Sequence, residues 1–540
     1  MSYVDALYEK DKDLVHVVER DKNGSRIFKT YPAIYQFYYE DPKGKHRSIY
    51  DEPITRVRCA NHKEFKKEIS INSHKKLYET DLNLTFTVLS EYYLNQDAPK
   101  LNIAFFDIET DMHPELGFSS PEDALMPITA ISVYLQWIDT LITVAIPPKT
   151  LTIEQARELV ADIPNVVLFE KESEMLDYFL SIIEDSDVIS GWNSTGYDIP
   201  FTVRRIAKVL SKNDLKRLCL WNKEPKKREY EKYGKTSSTF DLFGRVHLDY
   251  LELYQKFTFE ERQSFRLDYI GQFEVNERKT EYEGTLDQLY NKDFRKFIIY
   301  NRQDTALLNK IDQKLKFIDL GNVMAHENAI LLPTIMGTVI PTEQALINEA
   351  HALGLRIPTR KRSNSDNENT QAAGAYVAYP KKGLHEWVGS FDINSLYPSA
   401  IRALNMSPET IVGQLRQTDT HAYITNKMEN EKASFAHAWE GLFGSLEYEA
   451  VMNQDKTYLI TVDWESGESE EYSAAQIYKM IFDSNNPLIL TANGTIFSYN
   501  KTGLIPDVLA KWYATRKQMQ QTMRGFKDLS YGIEIPERLL

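Results

Sequence analysis

The sequence is poor in cysteine and has no long apolar run. Its two cysteines, Cys59 and Cys219, are far apart in a chain of 540 residues. Their separation excludes the short spacings of a cysteine metal site and predicts no disulfide framework, as in proteins of a reducing compartment. No segment has the roughly 20 consecutive apolar residues needed to cross a bilayer, and the first residues lack the basic and apolar regions of a signal peptide. We therefore expect no membrane association.

An excess of basic residues is also lacking. The formal net charge is −14, from 78 acidic and 64 basic residues, whereas proteins that neutralise nucleic-acid phosphates usually have a basic face. Basic residues do cluster locally, in residues 223–235 and 356–362. Each cluster is either a nucleic-acid contact or an ordinary solvated loop. The balance of hydrophobic (42%) and charged (26%) residues is that of a soluble multidomain protein, and composition alone assigns no function.

Between residue 101 and about residue 320, short apolar strands alternate with helices. Strands are predicted at residues 101–109, 128–135 and 188–190, and helices are predicted from Ile153, Ser173 and Asp293. This alternation predicts an α/β domain. The preceding residues contain short strand-like runs, and helical segments continue to about residue 355.

A polar stretch at residues 359–371, almost without apolar side chains, predicts a linker or disordered crossing. A new unit begins near Ala373, carries a long polar insertion at about residues 417–487, and ends in a helix from Ile505. We therefore predict four parts: residues 1–98, to which residues 321–370 return; residues 99–320; residues 371–500; and residues 501–540.

Two carboxylates lie at the end of the first strand of the α/β region. The strand period of two places Asp107 and Glu109 on the same face as three apolar residues. Two like charges on a half-buried face cost free energy unless a cation lies between them. Alternatively, the strand ends at Phe106 and both acids are solvated.

Two further aspartates occur where catalytic groups of α/β proteins collect. Asp198 lies at the junction of a short strand and a helix that Pro200 is expected to begin. Tyr300 and Asp304 are one turn apart on a later helix and therefore share a face. The alternatives are a helix-capping Asp198 and a solvent-facing Asp304.

A second group of residues predicts an anion site. An apolar strand ends at Asp392, the chain turns over residues 393–397, and Pro398 opens a helix. Free amides at a turn and a helix N-terminus bind anions, and the preceding carboxylate can hold the Mg²⁺ that accompanies a triphosphate. Residues 503–517 predict an amphipathic helix whose apolar stripe packs inward, with Arg516 beyond the stripe. A plain surface helix is the alternative for Arg516.

The acidic motifs resemble, in order and context, the three motifs of DnaQ-like 3′→5′ proofreading exonucleases, which have an RNase H-like fold. They read Asp107-x-Glu109, Asn193-x₃-Tyr197-Asp198 and Tyr300-x₃-Asp304. The resemblance implies that Tyr300 positions an attacking water and that Asn193 helps to hold the single-stranded 3′ end. It also implies four ligands for two Mg²⁺ ions, for which Mn²⁺ can substitute: Asp107, Glu109, Asp198 and Asp304.

The anion site resembles motif A of family-B DNA polymerases, whose core reads D-x-x-S-L-Y-P-S and matches residues 392–399. The resemblance is to the replicative polymerases of T-even-type bacteriophages and covers most of the chain. It implies that Asp392 and the Ile393 carbonyl bind Mg²⁺ with a deoxynucleoside triphosphate, and that Arg516 grips the triphosphate. Contacts to the nucleotide would come from Ser395, Leu396 and Tyr397, of which Tyr397 excludes a 2′-hydroxyl. Basic and aromatic residues at about 230–247 match the family's strand-separating β-hairpin.

Two elements of that family are missing from the sequence: the K-x₃-N-S-x-Y-G helix and the D-T-D hairpin with a second metal-binding aspartate. One carboxylate cannot hold the two ions that nucleotide transfer requires. We therefore predict one half of a split polymerase, with an N-terminal domain, an RNase H-like exonuclease domain and an incomplete palm and fingers, in a multidomain α/β and α+β fold. A second chain would supply the remaining fingers, palm and thumb, and polymerisation by this chain alone is not expected.

The expected partners are primer–template DNA and deoxynucleoside triphosphates, with a sliding clamp and the protein's own messenger RNA as further candidates. The expected location is the cytoplasm of an infected bacterium. Three alternatives fit the same motifs: a truncated or frameshifted gene product, a truncated polymerase retained as an RNA- or DNA-binding regulator, and a stand-alone 3′→5′ exonuclease.

Overall fold

The computed structural model describes residues 2–113, 117–232, 235–360, 380–483 and 485–529. The chain divides into two units, and it passes from one to the other several times before residue 82. The first unit comprises residues 1–36, 57–72 and 82–348, and the second comprises residues 37–56, 73–81 and 349–540.

A six-stranded mixed sheet forms the centre of the first unit. The strand Ile103–Thr110 is antiparallel to Ile128–Leu135 on one side and parallel to Val188–Gly191 on the other. The three strands predicted in this region are therefore confirmed to within two residues. The order across the sheet is Val166–Leu168, Thr140–Ala145, Ile128–Leu135, Ile103–Thr110, Val188–Gly191 and Val246–Asp249.

The strand Ile103–Thr110 is buried on both faces. Ile103 and Phe105 belong to one apolar cluster, whereas Phe106 and Ile108 belong to another. Alternate side chains enter different clusters because successive residues of a strand point to opposite faces. Burial of each such side chain contributes roughly 1.5–3 kcal/mol, so both clusters fix this strand in place.

Helices surround the sheet. Those predicted from Ile153, Ser173 and Asp293 begin at Ile153, Glu172 and Phe294. The helix predicted to begin at Pro200 begins at Asp198 instead; Pro200 still lies in the first turn, where its missing amide breaks no helical hydrogen bond. The helices before residue 353 are His62–Ile71, Leu84–Tyr93, Ile153–Leu159, Glu172–Ile182, Asp198–Val209, Tyr250–Phe257, Leu267–Val275, Leu286–Lys292, Phe294–Leu315, Phe317–Asn328 and Val339–Ala352.

The first unit also contains a three-stranded antiparallel sheet and two hairpins. The longer hairpin pairs Lys226–Lys232 with Lys235–Asp241, a few residues before the position expected from sequence. Part of its basic charge is neutralised locally, since Arg228 lies 2.8 Å from Asp241. The remaining strands are Ser2–Glu9, Leu14–Arg20 and Arg26–Pro32 in the sheet, and Met112–His113 and Gly117–Phe118 in the short hairpin.

The second unit contains two five-stranded sheets. One has the order Leu355–Arg356, His46–Ser48, Pro53–Cys59, Tyr35–Glu40 and Leu77–Tyr78, with most of its residues in this unit. The other is antiparallel, with the order Ser469–Ser473, Leu459–Trp464, Ile411–Leu415, Thr495–Ser498 and Leu488–Leu490.

The insertion at residues 417–487 is folded rather than open. Val451, Ile460 and Ile477 from the insertion join Leu415 and Ile496 in one buried apolar cluster. The insertion is polar because a small folded module exposes a large share of its residues. Its helices are Thr418–Asn430, Phe435–Ala438, Leu446–Met452 and Ala474–Tyr478.

The strand predicted to end at Asp392 is not formed. Residues 380–395 contain no strand or helix, and Trp387 and Phe391 are 99% and 98% exposed. An extended apolar run becomes a strand when a neighbouring strand pairs with it, and none of the described residues does so here. The following helix begins at Leu396. Most of the predicted linker and the strand expected near residue 373 lie outside the described residues.

The last helix, Leu504–Leu529, confirms the prediction of a helix from Ile505. Its apolar stripe packs only in the first turns: Leu504 and Val508 are buried, but Trp512 is 44% exposed.

Candidate active site

Three carboxylates converge beside the strand Ile103–Thr110. Asp107, Glu109 and Asp304 each place one oxygen within 4.8 Å of the others. Asp107 and Glu109 come from one face of the strand, as its period predicts. Asp304 comes from the helix Phe294–Leu315, which packs across that strand. The alternative of a solvent-facing Asp304 is wrong, since its side chain is 3% exposed.

The fourth predicted acid, Asp198, is beside the same strand. It is the first residue of its helix and is 5% exposed. Its Oδ1 accepts a hydrogen bond of 3.3 Å from the backbone amide of Ile108. Close approach of the preceding strand requires a glycine, because a Cβ on Gly191 would lie 2.9 Å from the carbonyl oxygen of Phe106. The fold thus brings all four predicted carboxylates to one place.

Burial and mutual repulsion raise the pKa values of these carboxyl groups. Burial, with a contribution from Asp304, raises the pKa of Glu109 to about 8. Burial raises the pKa of Asp198 to about 7. The pKa of Asp107 is well above its ordinary value because of burial and the charges of its three acidic neighbours. The cluster therefore takes up protons or cations near neutral pH.

Lys279 supplies one positive charge to the cluster, and the sequence analysis missed it. Its Nζ lies 2.5 Å from Asp304 Oδ2 and 5.5 Å from the centre of the Tyr300 ring. Its backbone amide donates a hydrogen bond of 2.9 Å to Asp268. The lysine stands in a loop without strand or helix periodicity, so no sequence signal pointed to it. One ammonium group leaves most of the charge of four carboxylates unbalanced.

Asn301 was also missed, although it follows Tyr300 on the same helix. Its Nδ2 donates a hydrogen bond of 2.8 Å to Asp107 Oδ2. A polar residue three positions before Asp304, on a buried helix face, was a signal that could have found it.

The residues present fit a divalent cation. Asp304 Oδ1 and Asn301 Oδ1 are buried and have no hydrogen-bond partner among the described residues. A buried carboxylate oxygen without a partner is costly unless a ligand satisfies it. Carboxylate oxygens are also the hard ligands that Mg²⁺ and Mn²⁺ prefer.

Two clefts lie near the carboxylate cluster. One, of about 760 Å³, is lined by Tyr282 and its neighbours. The second, of about 600 Å³, opens at Asp107 and Lys279. The second cleft is also lined by Trp192, Asn193, Leu251, Phe265 and Arg266.

Asp249, which was not among the predicted site residues, fixes the turn that carries Asn193. Asn193 has a left-handed backbone, with φ of 61°. Its amide and that of Thr195 each donate a hydrogen bond of 2.9 Å to the Asp249 carboxylate. Asp249 is buried and so fixes the wall of the cleft that faces Asp107.

The predicted nucleotide-site residues lie in the second unit and are largely exposed. Ile393, Leu396 and Tyr397 are 65%, 49% and 73% exposed. Asp392 and Arg516 are also exposed, and Ser395 is partly exposed. The helices that carry Tyr397 and Arg516 pack against each other, with the Arg402 guanidinium 5.3 Å from the centre of the Tyr513 ring.

Two profiles of known families match the chain. The exonuclease domain of DNA polymerase family B matches residues 39–270, and DNA polymerase family B matches residues 334–531. The DNA-directed DNA polymerase of Escherichia phage RB69 is 30% identical over 432 residues, which are 75% of this chain and 47% of that protein. The chain belongs to DNA polymerase family B. The resemblance found from the sequence motifs is therefore confirmed.

A second phage relative agrees with the first. The DNA-directed DNA polymerase of Enterobacteria phage T4 is 28% identical over 318 residues, 58% of this chain and 35% of that protein. The family-B chain thus spans less than half the length of the phage relatives it matches. Asp107 and Asp198 lie within the exonuclease match, whereas Asp304 falls between the two matches. In the part of the chain that the structure describes, no helix is long and apolar enough to span a membrane.

Proposed function

We propose that this chain is the proofreading part of a replicative DNA polymerase, in which residues 99–320 form a 3′→5′ exonuclease that acts on single-stranded DNA ends. The observation that carries the proposal is the convergence of Asp107, Glu109 and Asp304. Asp198, bonded to the same strand, completes the set. Four buried acids with raised pKa values and a single lysine are suited to binding divalent cations.

The chemistry of phosphodiester hydrolysis fits these groups. Two Mg²⁺ ions, when bound, would activate water and stabilise the departing 3′-oxygen. Asp107, Glu109, Asp198 and Asp304 would hold the ions, with Mn²⁺ as a substitute. The Tyr300 hydroxyl would orient the attacking water.

The cleft beside the carboxylates would hold the end of the strand. Asn193 would bind the terminal nucleotide from the turn fixed by Asp249. Trp192 and Phe265 offer aromatic surfaces, on which bases stack without regard to sequence.

The test is shortening of a 5′-labelled single strand by the full chain. We expect stepwise loss of nucleotides from the 3′ end with Mg²⁺, and none with EDTA. The double variant Asp107→Ala/Glu109→Ala should be inactive. Asp177→Asn, which changes a surface carboxylate of the same unit (63% exposed), is the control and should retain full activity. A folded wild-type chain that leaves the strand intact, or an active double variant, would overturn the proposal.

We further propose that residues 371–500 and 501–540 are the beginning of the palm and of the fingers. Asp392 and the Ile393 carbonyl would bind Mg²⁺ with a deoxynucleoside triphosphate, and Arg516 would grip the triphosphate. Ser395, Leu396 and Tyr397 would contact the nucleotide. The apolar side chains of residues 384–397 are exposed, which supports this assignment, because a neighbouring segment is expected to cover them.

That segment would come from residues outside these 540, which would also supply the second metal-binding carboxylate with the rest of the fingers, palm and thumb. Primer–template DNA would be the joint substrate, in the cytoplasm of an infected bacterium. We expect no primer extension by residues 1–540 alone, and extension once the remaining fingers, palm and thumb are supplied. Extension by the isolated chain would contradict this part of the proposal.

A further inference from the structure

The loop between the helices Leu267–Val275 and Leu286–Lys292 sends two side chains towards the carboxylate cluster. Lys279 is one of them. The other is Tyr282, whose ring meets the Tyr300 ring edge to face, with the centroids 5.2 Å apart and the planes at 85°. Edge-to-face contact is a preferred arrangement of aromatic rings, because the positive edge of one faces the negative face of the other.

The Tyr300 ring needs such support. Its side chain is only partly buried and packs against the apolar cluster with one side, so its own helix does not enclose the ring. Lys279 Nζ lies 2.5 Å from Asp304 Oδ2 and 5.5 Å from the centre of the Tyr300 ring, which places Tyr300 beside the cluster. With Lys279 over the ring and Tyr282 against it, the ring is contacted by two side chains of one loop.

The loop is itself anchored at both ends. The amide of Lys279 is bonded to Asp268, in the first turn of the preceding helix. Tyr282 and Leu286 pack on the apolar cluster that includes Phe294 and Phe297. Tyr282 and Tyr300 therefore pack side by side on this buried cluster. Tyr282 is also close enough to the carboxylates for the charge of Glu109 to add to the effect of burial in raising its pKa.

We propose that Tyr282 is a positioning residue of the exonuclease: its ring holds the Tyr300 ring so that the Tyr300 hydroxyl faces Asp304. This inference rests on the proposed exonuclease function. Because Tyr282 acts through its ring, its own hydroxyl is dispensable. Because it acts only through Tyr300, its loss has no further effect once the Tyr300 hydroxyl is gone.

The experiment is a double-mutant cycle with the full chain, measured as single-turnover cleavage of a single strand at saturating Mg²⁺. Tyr282→Phe should stay within about twofold of the wild-type rate. Tyr282→Leu should lose about tenfold in rate, since small misplacements of a catalytic group have large effects. Its dissociation constant for the strand should change by less than about twofold. The variant Tyr282→Leu/Tyr300→Phe should be no slower than Tyr300→Phe.

A matched control separates positioning from general weakening of the core. Tyr290 packs on Phe294 and Phe297 in the same apolar cluster, and Tyr290→Leu should lower the melting temperature without changing the cleavage rate. Additive losses in the double variant, an inactive Tyr282→Phe or a fully active Tyr282→Leu would each overturn the positioning role. An active Asp107→Ala/Glu109→Ala variant would instead overturn the proposed function itself.

Discussion

Three of the four carboxylates of the cluster are each oriented by a different neighbour. Asn301 donates to Asp107, the Ile108 amide donates to Asp198, and Lys279 pairs with Asp304. A metal site depends on such outer contacts, because they fix which oxygen faces the ion. The strand period and the one-turn helix spacing predicted which acids share a face, and the resemblance to the exonuclease motifs implied that the four acids form one group. Lys279 was not, since its position depends on how a loop folds back over a helix.

The role of Asn301 can be measured through the metal requirement. Asn301→Leu removes the bond to Asp107, and we expect about a tenfold rise in the Mg²⁺ concentration that gives half-maximal cleavage. Asn309→Leu is the matched control: it is buried on the same helix, contacts Gln136, and should leave the Mg²⁺ requirement unchanged. Equal Mg²⁺ curves for Asn301→Leu and the wild type would exclude the orienting role.

Stability should depend on pH through Asp5, which is remote from the cluster. Asp5 is buried, accepts a hydrogen bond of 2.7 Å from the Gly244 amide, and has its pKa raised by burial to about 7. Between its unfolded pKa of about 4 and about 7, the folded chain holds a proton that the unfolded chain has lost. The free energy of unfolding therefore falls as pH rises, by at most roughly 4 kcal/mol.

Asp5→Asn should remove this part of the pH dependence. We expect the melting temperature of the wild type to fall more steeply than that of Asp5→Asn between about pH 4 and about pH 7, the pKa values of Asp5 in the unfolded and folded chain. Parallel curves would show that Asp5 does not carry the effect.

At the scale of elements, the turn after the strand Val188–Gly191 has two functions: it presents Asn193 to the cleft and begins the helix that carries Asp198. Asp249, at the end of the neighbouring strand, holds the turn through two backbone amides. The signal for the turn was its Asn-x₃-Tyr-Asp pattern. The signal for its support was absent, since Asp249 is 56 residues from Asn193 in the sequence and meets the turn only through parallel strand pairing.

Loss of that support should weaken substrate binding before it affects chemistry. We expect Asp249→Ala to raise the KM for single-stranded DNA by about tenfold, with a smaller change in kcat, because two amides of the turn lose their buried acceptor. Steady-state cleavage of a single-stranded oligonucleotide gives both constants. A fall in kcat at unchanged KM would indicate that Asp249 acts on the carboxylates instead.

Elements with a clear apolar period were predictable, and the strand at residues 128–135 agrees at both ends. The strand expected before Asp392 was wrong for a physical reason. Its large apolar side chains, Leu384, Trp387, Val388 and Phe391, favour pairing, but strand formation depends on a partner that the described residues do not provide.

For the whole molecule, the net charge of −14 did not indicate the function, because the carboxylate cluster is itself negatively charged. The negative net charge argued against nucleic-acid binding, whereas a nuclease that uses divalent cations needs acidic side chains at its centre. Family membership was recoverable from motifs that occupy few residues, because each combined fixed chemistry with a fixed place in the fold. The two units and the folded insertion were not visible in the same way, since apolar contacts between distant segments define them.

Cation binding should stabilise the folded chain. Mg²⁺ at about 100 times its dissociation constant raises the free energy of unfolding by about 2.7 kcal/mol if it binds the folded state alone. We therefore expect the melting temperature of the wild type to be higher in Mg²⁺ than in EDTA, and no such difference in Asp107→Ala/Glu109→Ala. Calorimetry of both proteins checks this, and an equal increase in both would place the stabilising ion elsewhere.

The strand Ile103–Thr110, enclosed by two apolar clusters, also limits how the proposed nuclease can change. A deletion or insertion of one residue before Phe106 would turn every following side chain of the strand to the opposite face. Phe106 and Ile108 would then face the wrong apolar cluster, and Asp107 and Glu109 would leave the cleft. Such a lesion should remove folding and proofreading together. Lineages that dispense with proofreading but retain a sound protein are therefore expected to do so by exchanging single acidic side chains, with the length of this segment preserved.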